Sequence, residues 1–300
     1  MNRRSFLAAT TAAPAALASA QPADSLPKRA RLKPALCAYS FRQELQKKTM
    51  TYEDLVRSCV EWDVDGLDMT VYWVPSTERQ WLHSLRRLAY RCGIQIYSIA
   101  VRTELTRAEQ KDRDTEVENI RRWVDVASAL GAGHIRVFGG YLRGGVTEEQ
   151  AVPWVVECLQ KGAEYAGSQG VILGLENHGG ITTRAARILE IVRKTDSPWV
   201  GINLDTGNFT EDPFRQMEMC LPHAVNVQVK SEMVREDGKR GPQDWDRVVK
   251  LVASGGYKGY LSLEYEAKEP AATAVPRLLA QLRTLCAKYS EGTRGTKGTA

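Results

Sequence analysis

VILGLENHGGITTRAARILEIVRKTDSPWVGINLDTGNF, residues 171–209, holds one complete strand–helix–strand unit. Its ends, VILGLEN (171–177) and WVGINLD (199–205), are short β-branched and apolar runs. Between them Ala185, Ile188, Leu189 and Val192 recur at three- and four-residue steps, which marks one apolar face of an amphipathic helix. Two strands joined by a crossover helix lie parallel in one sheet.

The same unit recurs in both directions along the chain. Further candidate strands are PALCAYS (34–40), DGLDMT (65–70), IQIYSIAV (94–101), HIRVFGG (134–140), AVNVQVK (224–230) and YLSLEYE (260–266). Val117, Ile120, Val124, Ala127 and Leu130 mark a second helix, and Trp245, Val248, Val249 and Val252 a third. The last carries Val275, Leu278, Leu279, Leu282 and Leu285, with Pro276 in its first turn. Alternation of strand and helix over 34–290, roughly 32 residues per unit, matches a single-domain (β/α)8 barrel of about 250 residues. An open doubly wound sheet would use GAGHIR (131–136) as its dinucleotide turn. Arg136 stands where the third glycine belongs, however, and these glycines precede a strand instead of following one. No G-x-S-x-G, H-E-x-x-H or Walker sequence occurs.

The flanks differ in kind from the barrel. Residues 1–20 (MNRRSFLAATTAAPAALASA) join the pair Arg3-Arg4 to an alanine-rich apolar run ending Ala18-Ser19-Ala20. These are the parts of a twin-arginine export signal, so a periplasmic or extracellular protein is expected. The run is short and broken by Pro14, and no later segment reaches 18 continuous apolar residues, so no stable membrane insertion is expected. Residues 21–33 are expected to form a flexible leader and 291–300 (EGTRGTKGTA) a disordered tail. Six cysteines with no C-x-x-C pair read as reduced thiols, partly buried, not as a zinc ribbon or a disulfide framework. The net charge of +5 raises nucleic acid as a partner, but residues 34–290 hold 33 basic and 34 acidic side chains. The excess belongs to the flanks, and no nucleic-acid partner is expected.

In such a barrel, function sits at the C-terminal ends of the strands. The fifth strand ends in Glu176-Asn177-His178, the sixth in Asp205-Thr206-Gly207-Asn208, the seventh in Gln228-Val229-Lys230 and the eighth in Glu264-Tyr265-Glu266. Three acids and an amide oxygen converge, and carboxylates that close repel one another unless a cation sits among them. Oxygen-only ligation favours Mn2+ or Mg2+ over zinc. Glu264 and Glu266 are read as pointing to opposite faces, with Glu264 inward beside Tyr260 and Ser262 while Leu261 and Leu263 face outward.

GLENHGG, GINLDTGNF, VQVKSE and LSLEYE, in that order, carry a resemblance. The chain resembles the sugar phosphate isomerase/epimerase family of xylose isomerase-like TIM barrels over about residues 34–288. The resemblance implies that Glu176, Asp205, Gln228 and Glu264 are metal ligands, and that Glu176 and Glu264 also exchange protons with substrate. Two departures stand out: Gln228 replaces a histidine common among relatives, and Asn208 stands where epimerase relatives often carry a substrate-contacting histidine.

A cation that chelates a carbonyl and its neighbouring hydroxyl stabilises the enediolate formed when a carboxylate removes the α-proton. Return of the proton gives epimerisation or aldose–ketose isomerisation; departure of a β-leaving group gives elimination. The expected protein is an exported, divalent-metal-dependent sugar isomerase or epimerase. Its substrate is an unphosphorylated sugar or keto sugar, because no basic cluster is evident at the mouth. The alternative is a lyase or hydratase acting on oxidised sugars or glycosides.

His178 shares the inward face with Glu176 and is expected to act as acid or base, while Lys230 binds a substrate oxygen or balances the acids. Asn208, Arg102, Arg136 and Trp73 complete the expected substrate contacts, Trp73 by stacking with Tyr72 on a sugar ring. Arg102 and Arg136 read equally as structural ion-pair partners. GGYLRGGV (139–146) is read as a loop over the mouth. The expected partner is a small carbohydrate, and a homo-oligomer is compatible with the chain.

Overall fold

A computed structural model describes residues 29–235 and 237–291. The expected export signal, most of the leader and nearly all of the tail lie outside the described residues. Eight parallel strands, β1 (Arg31–Cys37), β2 (Gly66–Thr70), β3 (Gln95–Ala100), β4 (His134–Phe138), β5 (Ile172–Glu176), β6 (Val200–Asp205), β7 (Ala224–Lys230) and β10 (Lys258–Glu264), close into a barrel. Between β7 and β10 the chain adds a small antiparallel hairpin, β8 (Glu232–Val234) and β9 (Arg240–Pro242). The helices are α1 (Arg42–Gln46), α2 (Tyr52–Glu61), α3 (Arg79–Arg91), α4 (Gln110–Leu130), α5 (Glu148–Ser168), α6 (Ala185–Thr195), α7 (Pro213–Cys220), α8 (Trp245–Ser254) and α9 (Ala271–Glu291). Among the described residues, no helix is long and apolar enough to cross a membrane.

Three boundaries depart from the sequence reading. Arg31–Lys33, assigned above to a flexible leader, belong to β1, where Arg31 is in register with Lys258. Ala38–Phe41 form a 3-10 turn, not the end of a strand. The last barrel strand stops at Glu264, so Tyr265 and Glu266 lie on the chain leaving it. Sequence reading missed the hairpin because each of its strands is only three residues long.

Alternation along each strand sorts the side chains. Leu173, Leu175, Ile202, Leu204, Val227, Val229, Leu261 and Leu263 are fully buried in the core on the outward register, beneath the helices. The inward positions are polar. Asn226 Nδ2 donates to Asn203 Oδ1 at 2.8 Å, Asn203 Nδ2 to Gln228 Oε1 at 2.8 Å, and Gln228 Nε2 to Asp68 Oδ2 at 3.1 Å. This interior departs from the branched apolar layers usual in such barrels. It is stable because the buried amides satisfy one another in a chain. Gly174 leaves room for the neighbouring strand: a Cβ there would lie 2.2 Å from His134 Nε2.

Candidate active site

Side chains from the C-terminal ends of the strands and the loops that follow line a cavity of about 500 Å³. Glu176, His178, Asn208, Lys230, Glu264, Arg102 and Arg136 are brought together there, with Tyr39, Tyr72, Phe138 and Glu266. Asp205 is fully buried just behind them.

At the end of β5, both oxygens of Glu176 are engaged. Oε2 pairs with Arg136 Nε at 2.9 Å, while Oε1 meets His178 Nδ1 at 2.7 Å and accepts from Asn208 Nδ2 at 3.1 Å. Burial raises the Glu176 carboxyl, but the guanidinium and the imidazole outweigh it and hold the group below the usual carboxylate range. Burial lowers His178, and its bond to Glu176 reverses that, so the imidazole stays protonated to higher pH than an ordinary histidine. The ring stacks on Phe138 at 4.0 Å between centroids and is 40% exposed, which leaves Nε2 as its remaining polar atom. Asn177 clamps the neighbouring strand ends: its Nδ2 donates to the Asp205 carbonyl at 2.9 Å and its Oδ1 accepts from Asp205 N at 2.8 Å.

A second group surrounds Lys230. Its Nζ lies 2.8 Å from Glu264 Oε1, 2.5 Å from Glu266 Oε2 and 3.3 Å from Asp205 Oδ2. Lys230 and Glu264 are in register between β7 and β10, so the contact follows from strand pairing. Glu264 and Glu266 therefore do not point to opposite faces. Although Glu266 has left the strand, both carboxylates reach the same ammonium, and even within a strand residues two apart would share a face. Burial pushes the Asp205 carboxyl up to about 7, against the pull of Lys230, with Glu264 and Glu176 adding to the rise. Its Oδ1 accepts from Gly207 N at 2.8 Å, while its Oδ2 accepts no hydrogen bond and has the lysine as its charged neighbour.

Asp205 therefore keeps a proton in the folded chain that the unfolded chain releases near pH 4. Its contribution to stability is fully present below about pH 4 and is lost as pH rises to about 7. Asp205→Asn is expected to flatten that part of the stability profile, read from urea unfolding at about pH 5 and about pH 8. An unchanged slope would mean that another group titrates.

Other expected contacts are placed differently. Gln228 sits one layer below Lys230, level with Ser262, and its oxygen is bonded to Asn203. Trp73 does not line the cavity. It stacks on Tyr39 at 5.9 Å and lines a separate groove with Leu45, Tyr52 and Glu53, while Tyr72 takes the place at the cavity wall. Arg136 is buried in β4 and also donates from Nη1 to Tyr72 Oη at 3.1 Å and to the Val101 carbonyl at 3.0 Å. Arg102 is exposed at the rim with its guanidinium 4.5 Å from the Tyr72 ring centre, and it forms no ion pair among the described residues. Arg107 and Arg143 line the same wall, so the mouth does carry a group of basic side chains. The loop 139–146 closes one side through Tyr141, whose hydroxyl donates to the His178 carbonyl at 3.2 Å.

The implied metal does not fit this donor set. Glu176 is spent on Arg136, His178 and Asn208, Gln228 is turned into the barrel, and an ammonium already sits among Asp205, Glu264 and Glu266. No three His, Cys, Asp or Glu side chains among the described residues are arranged to hold an ion.

Residues 56–285 match the family model of the xylose isomerase-like TIM barrel. A 190-residue segment is 27% identical to 3-oxo-isoapionate decarboxylase of Pectobacterium atrosepticum, covering 62% of this chain and 59% of that protein. The chain thus spans less than two thirds of the length of this relative. Among solved structures, D-psicose 3-epimerase of Clostridium cellulolyticum superposes with a TM-score of 0.69 at 16% identity, over 86% of this chain and 98% of that one. An IOLI protein with a bound zinc atom gives 0.69 at 14% identity, over 87% and 98%. At such identities the likeness is one of fold.

Proposed function

We propose that this chain, which belongs to the xylose isomerase-like TIM barrel family, is an exported isomerase or epimerase that moves a proton beside the carbonyl of a sugar or keto sugar. The observation that carries the reading is the meeting in one cavity of two proton-carrying groups, His178 and Glu264, with two buried cations, Arg136 and Lys230.

His178 Nε2 and Glu264 are the acid and base. Glu176 is a positioning residue: it fixes the imidazole through Nδ1 and favours its charged form. Glu264 removes the α-proton, and Lys230 and Arg136 offset the negative charge that develops on the carbonyl oxygen. His178 then returns a proton to the same carbon, which gives the epimer, or to the former carbonyl carbon while the neighbouring hydroxyl loses its proton and becomes the new carbonyl, which gives the isomer. Tyr39 and Tyr72 supply an apolar wall for the carbon skeleton. No step is assigned to Mn2+ or Mg2+.

A panel of keto sugars incubated with the full chain in D2O and followed by proton NMR tests the reading. Loss of an α-proton signal together with a new epimer or isomer is expected; no exchange across the panel would count against it.

One observation favours a second reading, a lyase acting on a 3-oxo sugar acid. Arg102 lines the cavity rim and forms no ion pair among the described residues, which leaves it placed for a carboxylate, and the curated relative is a decarboxylase of a 3-oxo acid. Loss of CO2 from such an acid leaves the same enolate beside Lys230 and Arg136. Adding a 3-oxo sugar acid to the NMR panel separates the two, because decarboxylation shortens the carbon chain and releases CO2.

A further inference from the structure

We propose that the Lys230 ammonium is the resident cation of this site and that the chain binds no divalent metal ion there. The inference rests on the function proposed above for the reaction it serves, though not for the metal itself.

Four observations carry it. First, the ammonium donates to Glu264 and Glu266 and lies 3.3 Å from Asp205 Oδ2, so three acids surround it. An ion ligated by Asp205 and Glu264 would have to enter the space this charge fills. Second, Lys230 is held in place. Its backbone N donates to Thr206 Oγ1 at 3.1 Å, and its carbonyl accepts from Trp245 Nε1 at 2.8 Å. Its stem passes so close to Gly207 that a Cβ there would lie 2.6 Å from Lys230 Cγ. Third, the oxygen of Gln228 is committed by a one-way chain of donors. Tyr97 Oη donates to Asn226 Oδ1, Asn226 to Asn203, Asn203 to Gln228, and Gln228 to Asp68. Turning the Gln228 amide over would set its NH2 against that of Asn203 and its oxygen against the Asp68 carboxyl. Fourth, Glu176 has Arg136 as a built-in counter-ion, so the acid of β5 is compensated as well.

Two amino-acid cations thus do what a single metal would do for separated acids. An ammonium brings one charge and directional N–H donors where a divalent ion brings two charges and chelates two oxygens. With two N–H groups given to Glu264 and Glu266, Lys230 has its third for one substrate oxygen.

The test is titration of the full chain with Mn2+, followed by loss of the free-ion EPR signal, and with Zn2+ by equilibrium dialysis. Less than about a tenth of an equivalent is expected to bind at concentrations where a carboxylate site of ordinary affinity would fill. The unfolding midpoint is expected to be the same in chelator and in either metal, since a ligand that binds only the folded chain would raise it. Uptake of one equivalent by the wild-type chain, or a midpoint raised by metal, overturns the proposal. Lys230→Met is expected to gain a site among Asp205, Glu264 and Glu266; a folded variant that takes up no metal overturns the assignment of the cation's place to Lys230. Deuterium exchange measured in chelator keeps the two readings apart. Exchange absent both in chelator and in Mn2+ would sink the proposed function, while the titration still decides the metal.

Discussion

Glu264→Gln is expected to lower the rate of α-proton exchange by about 10²- to 10⁴-fold, the range lost with a positioned acid or base. Lys230 holds one carboxylate oxygen of Glu264, and the other accepts a weak hydrogen bond from the Cys37 thiol, 3.8 Å away. Burial, with the Glu264 and Asp68 charges adding, pushes that thiol well above its usual range, so it stays neutral and competes poorly for the carboxylate. The amide keeps the shape of the side chain and its bond from Lys230 but cannot take a proton. His178→Ala should cost a similar factor, and the double variant little more, because groups that act as a unit are not additive. Deuterium wash-in measured by NMR on one accepted keto sugar checks all three. A Glu264→Gln rate within about tenfold of wild type would remove Glu264 from the role of base.

Lys230→Met is expected to cost about 3–5 kcal/mol of unfolding free energy, because it leaves Asp205 and Glu264 buried with no cation between them. With the ammonium gone, the buried Asp205 carboxyl loses the cation that pulls its pKa down, so the variant should regain stability as pH falls and Asp205 takes up its proton. Urea unfolding in chelator at neutral pH and again near pH 5 reads both effects. A loss under about 1 kcal/mol would mean that the acids are compensated by something other than Lys230.

These expectations concern charges whose partners lie far away along the chain. Lys230 and Glu264 are 34 residues apart, and Arg136 reaches Glu176 from the adjacent strand. In sequence, the Glu176, Asp205, Gln228 and Glu264 positions look equivalent, each at a strand end. In the barrel, parallel register sets Gln228 level with Ser262 and Lys230 level with Glu264, which moves the amide down a layer and brings the lysine up among the acids. Trp73 was misplaced for a related reason. It follows β2 by three residues, but the 3-10 turn Val71–Trp73 rotates Tyr72 to the cavity and Trp73 to the outer groove.

The strands and helices were legible because their signals are local. Leu173 and Leu175 flank Gly174 with the two-residue period of a strand, and Ala185, Ile188, Leu189 and Val192 keep the period of a helix, whatever the rest of the chain does. Repetition of that unit determined the barrel and the end of it that carries the acids. Which charge neutralises which acid was decided only by the closed structure. Pairing depends on the stagger between strands and on the turn each chain makes on leaving the sheet, and neither is written in the spacing of residues within one strand.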